Sequence, residues 1–282
     1  MESTLYTFKN IEPEERKNYS NIIQDIKNKK TDGVIVKSVF SNEEVRGLLN
    51  FLDSLSDDDY LQTPSGKIFP KPFAVISDMD NKLQEYTLSN SFFSKLKNEN
   101  ELISNFLKKL NTTISSFVQN TEVEQPKLEI SGINVCDGTF RYLFKNKGGL
   151  YVHCGNYFQE QNEFFYKMVK QDVDVSNQLS YFVVLQNTER GGELTLYDLR
   201  WKKGQMKESP LNNNYIILEN RSKLHINSLK KQKIRTEVGD LLIFYGGDIW
   251  HRVEDIEGLT PRVTFGGFLN FSKDSSKLFY WS

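Results

Sequence analysis

Val238-Gly239-Asp240-Leu241-Leu242-Ile243-Phe244-Tyr245-Gly246-Gly247-Asp248-Ile249-Trp250-His251 decides how this chain reads. A glycine turn enters an apolar run too short for an ordinary helix, which predicts a buried strand over Asp240–Phe244. Gly246-Gly247-Asp248 ends it, and a second strand is predicted over Trp250–Val253. Working outward, the same pattern of short β-rich segments between turn signals recurs at Leu128–Val135, Thr139–Phe144, Leu179–Leu185, Glu193–Leu199, Tyr215–Leu218 and Arg262–Phe271. Eight strands after a helical N-terminal third predict an α+β, mainly β chain, with a double-stranded β-helix (jelly-roll, cupin-like) core buttressed by N-terminal helices.

The first part of the chain reads differently. Pro13–Lys30 has a helical stripe of Tyr19, Ile22, Ile23 and Ile26, and Gly33–Phe40 reads as a strand. Ser41 and Glu44 form a capping box for a helix burying Val45, Leu48, Leu49 and Leu52. Thr63–Asp80, broken by Gly66, Pro70 and Pro72, reads as a long loop of the kind that makes lids. Ile103, Phe106, Leu107, Leu110, Ile114 and Phe117 repeat at helical spacing within Ser91–Val118. We expect one domain over 1–282, with 1–125 as helical support and lid and 126–282 as the jelly-roll core.

Composition excludes several functions. The 282 residues carry a formal net charge of −1, which gives no electrostatic reason to expect nucleic acid or an anionic membrane as partner. Lys27–Lys30 and Lys230-Lys231 are short basic runs in polar surroundings and read as solvated surface. No run approaches the roughly 20 apolar residues of a membrane span. Met1-Glu2-Ser3-Thr4 lacks the basic start and apolar core of a signal peptide. Cys136 and Cys154 alone make no disulfide framework. The expectation is a cytoplasmic monomer in a reducing compartment, with a small molecule as its partner.

Of three histidines, His225 lies in a polar stretch and reads as surface. His153 and His251 each stand at a strand, far apart in sequence, which suits ligands on facing strands. Arg262 and Thr264 share one face of a strand, where a guanidinium and a hydroxyl could grip a carboxylate, the guanidinium in bidentate fashion. A two-histidine iron site normally takes Asp or Glu as its third protein ligand. At the position two after His153 stands Gly155, which has no side-chain donor and leaves a coordination position open.

The order of His153, Gly191-Gly192-Glu193-Leu194, the Gly239-Asp240 strand, His251 and Arg262-Val263-Thr264 resembles the iron(II)/2-oxoglutarate-dependent oxygenases. It is most similar to the freestanding aliphatic halogenases of cyanobacterial indole-alkaloid (hapalindole and welwitindolinone) biosynthesis. Val152–Phe158, Asn177–Phe182, Gly191–Leu194 and the block Val238–Ser282 carry that resemblance, with His251-Arg252-Val253, Thr264–Leu269, Phe271-Ser272-Lys273 and Tyr280-Trp281-Ser282 its distinctive pieces. It is strong over the last half of the chain, weaker over Ile22–Phe40, and absent from Asp57 to Asn120.

The resemblance implies Fe(2+) on His153 and His251, 2-oxoglutarate chelating it, and Arg262 anchoring the distal carboxylate with Thr264 as helper. It also implies chloride at Gly155. Two imidazoles, a bidentate 2-oxo acid, a halide and O2 make six positions. Decarboxylation to succinate then generates an oxidant that takes hydrogen from an unactivated carbon, and the radical collects chlorine. Ser180 matches a serine implicated in orienting that oxidant. Its alternative is a small polar residue filling a strand position. Arg141 could stabilise oxidant, halide or co-substrate charge, or pair with a carboxylate. Phe158 and Leu150 are candidate substrate contacts or core, and Ile68 and Phe69 candidate lid residues. Cys154 replaces a more apolar residue, and strand alternation directs it away from the face of positions 153 and 155. The alternatives are a hydroxylase or desaturase of a small molecule, and a non-catalytic binding protein on the same fold.

Overall fold

A wholly apolar strand needs cover on both sides, and the positions of those strands organise the molecule. The computed structural model describes residues 4–72, 80–128, 134–145, 149–161, 173–207 and 215–282. A ten-stranded sheet runs in the order β1 (Phe8–Ile11), β2 (Gly33–Val36), β14 (Leu241–Phe244), β8 (Leu179–Gln186), β16 (Arg262–Phe271), β6 (Thr139–Leu143), β4 (Gly66–Phe69), β3 (Leu61–Thr63). β17 (Lys277–Trp281) extends it beside β16, and β5 (Glu122–Glu124) pairs with β17. A four-stranded sheet has the order β13 (Lys231–Ile234), β9 (Leu194–Arg200), β15 (Ile249–Val253), β7 (Leu150–His153). The remaining strands, β10 (Met206–Lys207), β11 (Tyr215–Ile217) and β12 (Lys223–His225), form a small separate sheet.

Strand alternation divides the large sheet into two chemistries. Leu179, Tyr181, Val183 and Leu185 of β8 join Val263, Phe265 and Leu269 of β16 and Phe140 and Tyr142 of β6 in the main apolar cluster. Helices cover that face. α2 (Asn42–Asp53) contributes Val45, Leu48 and Leu52, and α4 (Glu101–Ser115) contributes Ile103, Phe106, Leu107, Leu110 and Ile114. The expected capping box holds α2, with the Glu44 amide donating to Ser41 Oγ at 3.2 Å and the Ser41 amide to Glu44 Oε2 at 2.7 Å. The opposite face carries Ser180, Phe182 and Val184 of β8, Arg262 and Thr264 of β16, Arg141 of β6 and Ile68 of β4. Phe244 is the cross-strand partner of Ser180 and so shares that face. Its ring meets His251 of the four-stranded sheet at 5.0 Å between centroids. The two sheets therefore enclose the polar side chains between them.

Several expectations change. Thr63–Asp80 is not one long loop: β3 and β4 form a hairpin over Leu61–Phe69, and β4 pairs with β6. Gly66 opens β4 inside this hairpin, Pro70 and Pro72 only follow it, and 73–79 lie outside the described residues. Ile68 and Phe69 are thus buried strand residues, not lid residues. Pro13–Lys30 is two short helices: a 3-10 helix, Pro13–Tyr19, that buries nothing and α1 (Ile22–Lys27). The stretch Ser91–Val118 divides between α3 (Asp80–Glu99) and α4, where Asn100 Oδ1 accepts from the Ile103 amide at 3.2 Å and caps α4; the stripe from Ile103 to Ile114 belongs to α4, and Phe117 follows its end. The N-terminal third also supplies five strands, β1 to β5, besides helices. Most of the predicted Leu128–Val135 strand lies outside the described residues. No helix among them is long and apolar enough to cross a membrane.

Phe69 packs edge-on against Tyr60, Phe92 and Phe93 and stacks near Phe140. Phe69→Ala is expected to lower unfolding free energy by about 3–5 kcal/mol, measured by urea denaturation. A lid residue would change turnover and leave stability near wild type.

Candidate metal and co-substrate site

His251 pairs directly with His153, the last residue of β7, and their ring centroids stand 4.3 Å apart. Each imidazole turns its Nδ1 to the carbonyl two residues earlier, His153 to Tyr151 O at 2.6 Å and His251 to Ile249 O at 2.7 Å. A carbonyl only accepts, so Nδ1 carries the hydrogen and Nε2 keeps its lone pair. His251 is buried, and desolvation pushes its pKa down to about 4. It is therefore neutral at physiological pH, the form that a metal ion requires. Two adjacent imidazoles, each held through Nδ1 by a backbone carbonyl, fit a metal.

After His153 the chain leaves the strand, and α5 (Gly155–Gln161) begins at Gly155. The Gly155 and Asn156 amides donate to the carbonyls of Gly246 and Gly247, both at 2.9 Å, and the Gly247 amide donates to Gln178 O at 2.8 Å. This packing has no room for side chains. A Cβ on Gly155 would lie 2.5 Å from Gln178 Oε1 and 3.0 Å from Gly247 Cα. One on Gly246 would lie 2.1 Å from Ser180 Oγ. Ser180, Gln178 and three glycines thus converge beside the histidine pair. Among the described residues, no group of three or more His, Cys, Asp and Glu forms a metal-binding cluster. The sequence assigns Gln178, Gly246 and Gly247 no site role; their signals are the Asn177–Phe182 segment and the Gly-Gly turn before His251. Cys154 is fully buried beside Val152, Tyr157 and Trp250, and burial pushes its thiol pKa up. It is directed there by the end of β7 and the start of a helix, not by strand alternation continuing through Gly155.

Arg262 opens β16, and Thr264 on the same face pairs with Arg141 of β6, which in turn pairs with Ile68. Arg262 is buried with its guanidinium 5.0 Å from the Phe182 ring centroid. Desolvation, and then the charge of Arg141, lower its pKa to about 10. Arg141 is also shifted down by burial, although its side chain keeps some accessible surface. Neither arginine has a carboxylate partner among the described residues. Two desolvated cations side by side are unfavourable, and a dicarboxylate bound between the sheets would neutralise them.

The family model of the carrier-protein-independent halogenase WelO5 matches residues 5–282. The chain belongs to the carrier-protein-independent halogenase family. With that family it is an iron/2-oxoglutarate oxidoreductase. No curated protein is significantly similar to it in sequence. Among solved structures, an N-substituted L-amino acid dioxygenase from Burkholderia ambifaria AMMD superposes with a TM-score of 0.54 at 14% identity, covering 91% of this chain and 89% of that one. The same enzyme in complex with alpha-KG gives 0.53 at 14% identity, with the same coverage. These likenesses show a shared fold.

The other candidate residues of this halogenase-family chain divide by position. Phe158 on α5 is 42% exposed and meets the His153 ring nearly edge-on at 6.2 Å. Leu150 packs with Leu143, Val253 and Ile256 in a small apolar cluster. Ile68 is buried next to Arg141 and outside the apolar clusters, whereas Phe69 points into the main core. His225 is exposed on β12 with its ring against Tyr215, well apart from the pair in the fold's topology.

Proposed function

We propose that this chain is an iron(II)/2-oxoglutarate-dependent halogenase that chlorinates an unactivated aliphatic carbon of a freestanding small molecule, on a double-stranded β-helix core. His153 and His251 hold Fe(2+) through Nε2. Arg262, helped by Thr264, anchors the distal carboxylate of 2-oxoglutarate, and Arg141 offsets the remaining negative charge of the site. Chloride takes the place beside Gly155, where Asp or Glu would stand in a hydroxylase. When bound, iron and 2-oxoglutarate would supply, with O2, the hydrogen-abstracting oxidant, 2-oxoglutarate being converted to succinate and CO2. Ser180, which leaves no room for a Cβ on Gly246, offers the hydrogen bond that orients the oxidant. Phe158 forms a substrate wall, and Ile68 an apolar wall near Arg141.

The observation that carries this reading is the tight Gly155–Gly247–Gln178 contact beside two metal-ready imidazoles. A site that had merely lost its carboxylate would have no need to exclude even a methyl group at residue 155. We expect the anaerobic protein with iron and 2-oxoglutarate to show a visible absorption band that shifts on addition of chloride. His251→Ala is expected to abolish the band and weaken iron binding by at least about a hundredfold. Incubation with a candidate library, O2 and chloride, read by mass spectrometry, is expected to give chlorinated products. Hydroxylated products alone at saturating chloride would overturn the reading.

A further inference from the structure

The turn Tyr245–Asp248 joins the elements of the proposed halide seat. Its Gly246 and Gly247 carbonyls receive the Gly155 and Asn156 amides, and a Cβ on its Gly246 would collide with Ser180. Both ends of the turn are tied to one ionic cluster away from the histidines. At its start, the Tyr245 amide donates to the Asp32 carbonyl at 3.0 Å. At its end, Asp248 Oδ2 accepts from Arg200 Nη1 at 2.7 Å. Arg200 Nη2 donates to Asp32 Oδ1, so one guanidinium bridges the two acids. Asp32 is also held by the Thr7 amide, which donates to its Oδ2 at 2.8 Å, and Lys29 approaches Asp248 at 3.3 Å.

The backbone places this bridge at a defined irregularity. Arg200, the last residue of β9, pairs with Ile249, and the register shifts between Ile249 and His251. The Trp201 amide donates to Asp248 O at 2.6 Å, so the strand end and the turn share two links. A shift of register just before His251 needs something to fix its geometry, since the ladder does not. The Arg200 bridge spans that gap. Both acids are largely buried, with side chains 14% and 8% exposed. Removing the guanidinium would take the bridging cation from Asp32 and leave Asp248 with the half-exposed Lys29 alone, so that the turn loses its tie to Asp32 and can move from Gly155.

We infer that Arg200 is a positioning residue: by bridging Asp32 and Asp248 it sets the fit of the Gly246–Gly247 turn on Gly155, and through it chloride affinity and the share of chlorinated product. The inference rests on the halogenase reading. It involves no contact of Arg200 with metal, co-substrate or substrate. Arg262 and Arg141 belong to other strands, so 2-oxoglutarate binding should be insensitive to the bridge.

The test compares wild type with Arg200→Gln and Arg200→Lys. In metal-free protein, Gly155 and Asn156 amide hydrogen exchange is expected to accelerate by about tenfold or more in Arg200→Gln, with amides of the β6–β16 ladder unchanged. In the anaerobic iron and 2-oxoglutarate complex, the chloride Kd from the absorption shift is expected to rise about tenfold, equivalent to about 1.4 kcal/mol, while the 2-oxoglutarate Kd stays within about twofold. The ratio of chlorinated to hydroxylated product is expected to fall with it. Arg200→Lys keeps the charge but not the two-armed bridge, and should give intermediate values; it carries the same measurements if the Gln variant does not fold. Unchanged exchange at Gly155 and Asn156 would overturn the inference. So would equal weakening of chloride and 2-oxoglutarate, which marks a merely structural ion pair. If the wild type makes no chlorinated product, the proposed function fails, whereas the exchange measurement still decides whether Arg200 holds the turn.

Discussion

Gly155→Asp is expected to lower chlorinated product by at least about a hundredfold, the scale of 2.7 kcal/mol of lost transition-state stabilisation, while leaving 2-oxoglutarate binding near wild type. Two effects act together. A carboxylate at this position takes the place proposed for chloride and repels it at contact distance. The new Cβ also meets Gln178 Oε1 at 2.5 Å and Gly247 Cα at 3.0 Å. The first contact is with the end of a flexible side chain, but Gln178 is fully buried, and the second is with backbone. Overpacking of this kind costs about 1–3 kcal/mol. Gly155→Ala, which adds no charge, therefore becomes informative: it should lose stability and part of its chlorination on steric grounds alone. Gly155→Asp/Gln178→Ala removes the Oε1 contact. It should recover stability in a urea titration and remain unable to chlorinate, because the charge persists; hydroxylated product is then the expected outcome. A folded Gly155→Asp that still chlorinated would refute the assigned halide seat.

The contrast between Gly155 and Gln178 shows what a sequence can convey here. A missing carboxylate two residues after a histidine is a local pattern, visible in three letters. That Gln178 and Gly247 press on that glycine depends on the end of β7, the entry to β8 and the turn after β14 meeting in space, and no periodicity encodes such a meeting. The same division holds for the fold. Arg262–Phe271 was legible to the residue because its alternate residues serve one buried face each. The strand Gly66–Phe69 was hidden because its flanking Gly, Ser and Pro residues have the composition of a loop, and its partner β6 lies far along the chain. Arg262 and Thr264 were legible as a pair on one strand. The placement of Arg141 opposite Thr264, which turns one guanidinium into two facing cations, required the β6–β16 register.

That pair of cations leads to the second large effect. Arg262→Met is expected to weaken 2-oxoglutarate binding by at least about a hundredfold, consistent with the 3–5 kcal/mol lost when one partner of a buried ion pair is removed. It is also expected to make the ligand-free protein as stable as wild type or more so. The reason lies in the sign of the titration. Desolvation first, and Arg141 second, lower the pKa of Arg262 from 12.5 to about 10. A cationic group with a depressed folded pKa is penalised in its charged form. That penalty is fully present below about pH 10 and is relieved as pH rises from there toward the unfolded value. The shift corresponds to on the order of 3 kcal/mol at neutral pH. Met retains much of the apolar stem that packs over Phe182 and removes the charge. Thermal melts should therefore cross. Without iron and 2-oxoglutarate, Arg262→Met melts at or above wild type. With both present under anaerobic conditions, wild type gains a large increment and the variant little. A structural arginine would give the reverse in the first comparison, with lower stability for the variant at every ligand concentration. That result would remove Arg262 as the co-substrate anchor and assign the two cations to another counter-ion.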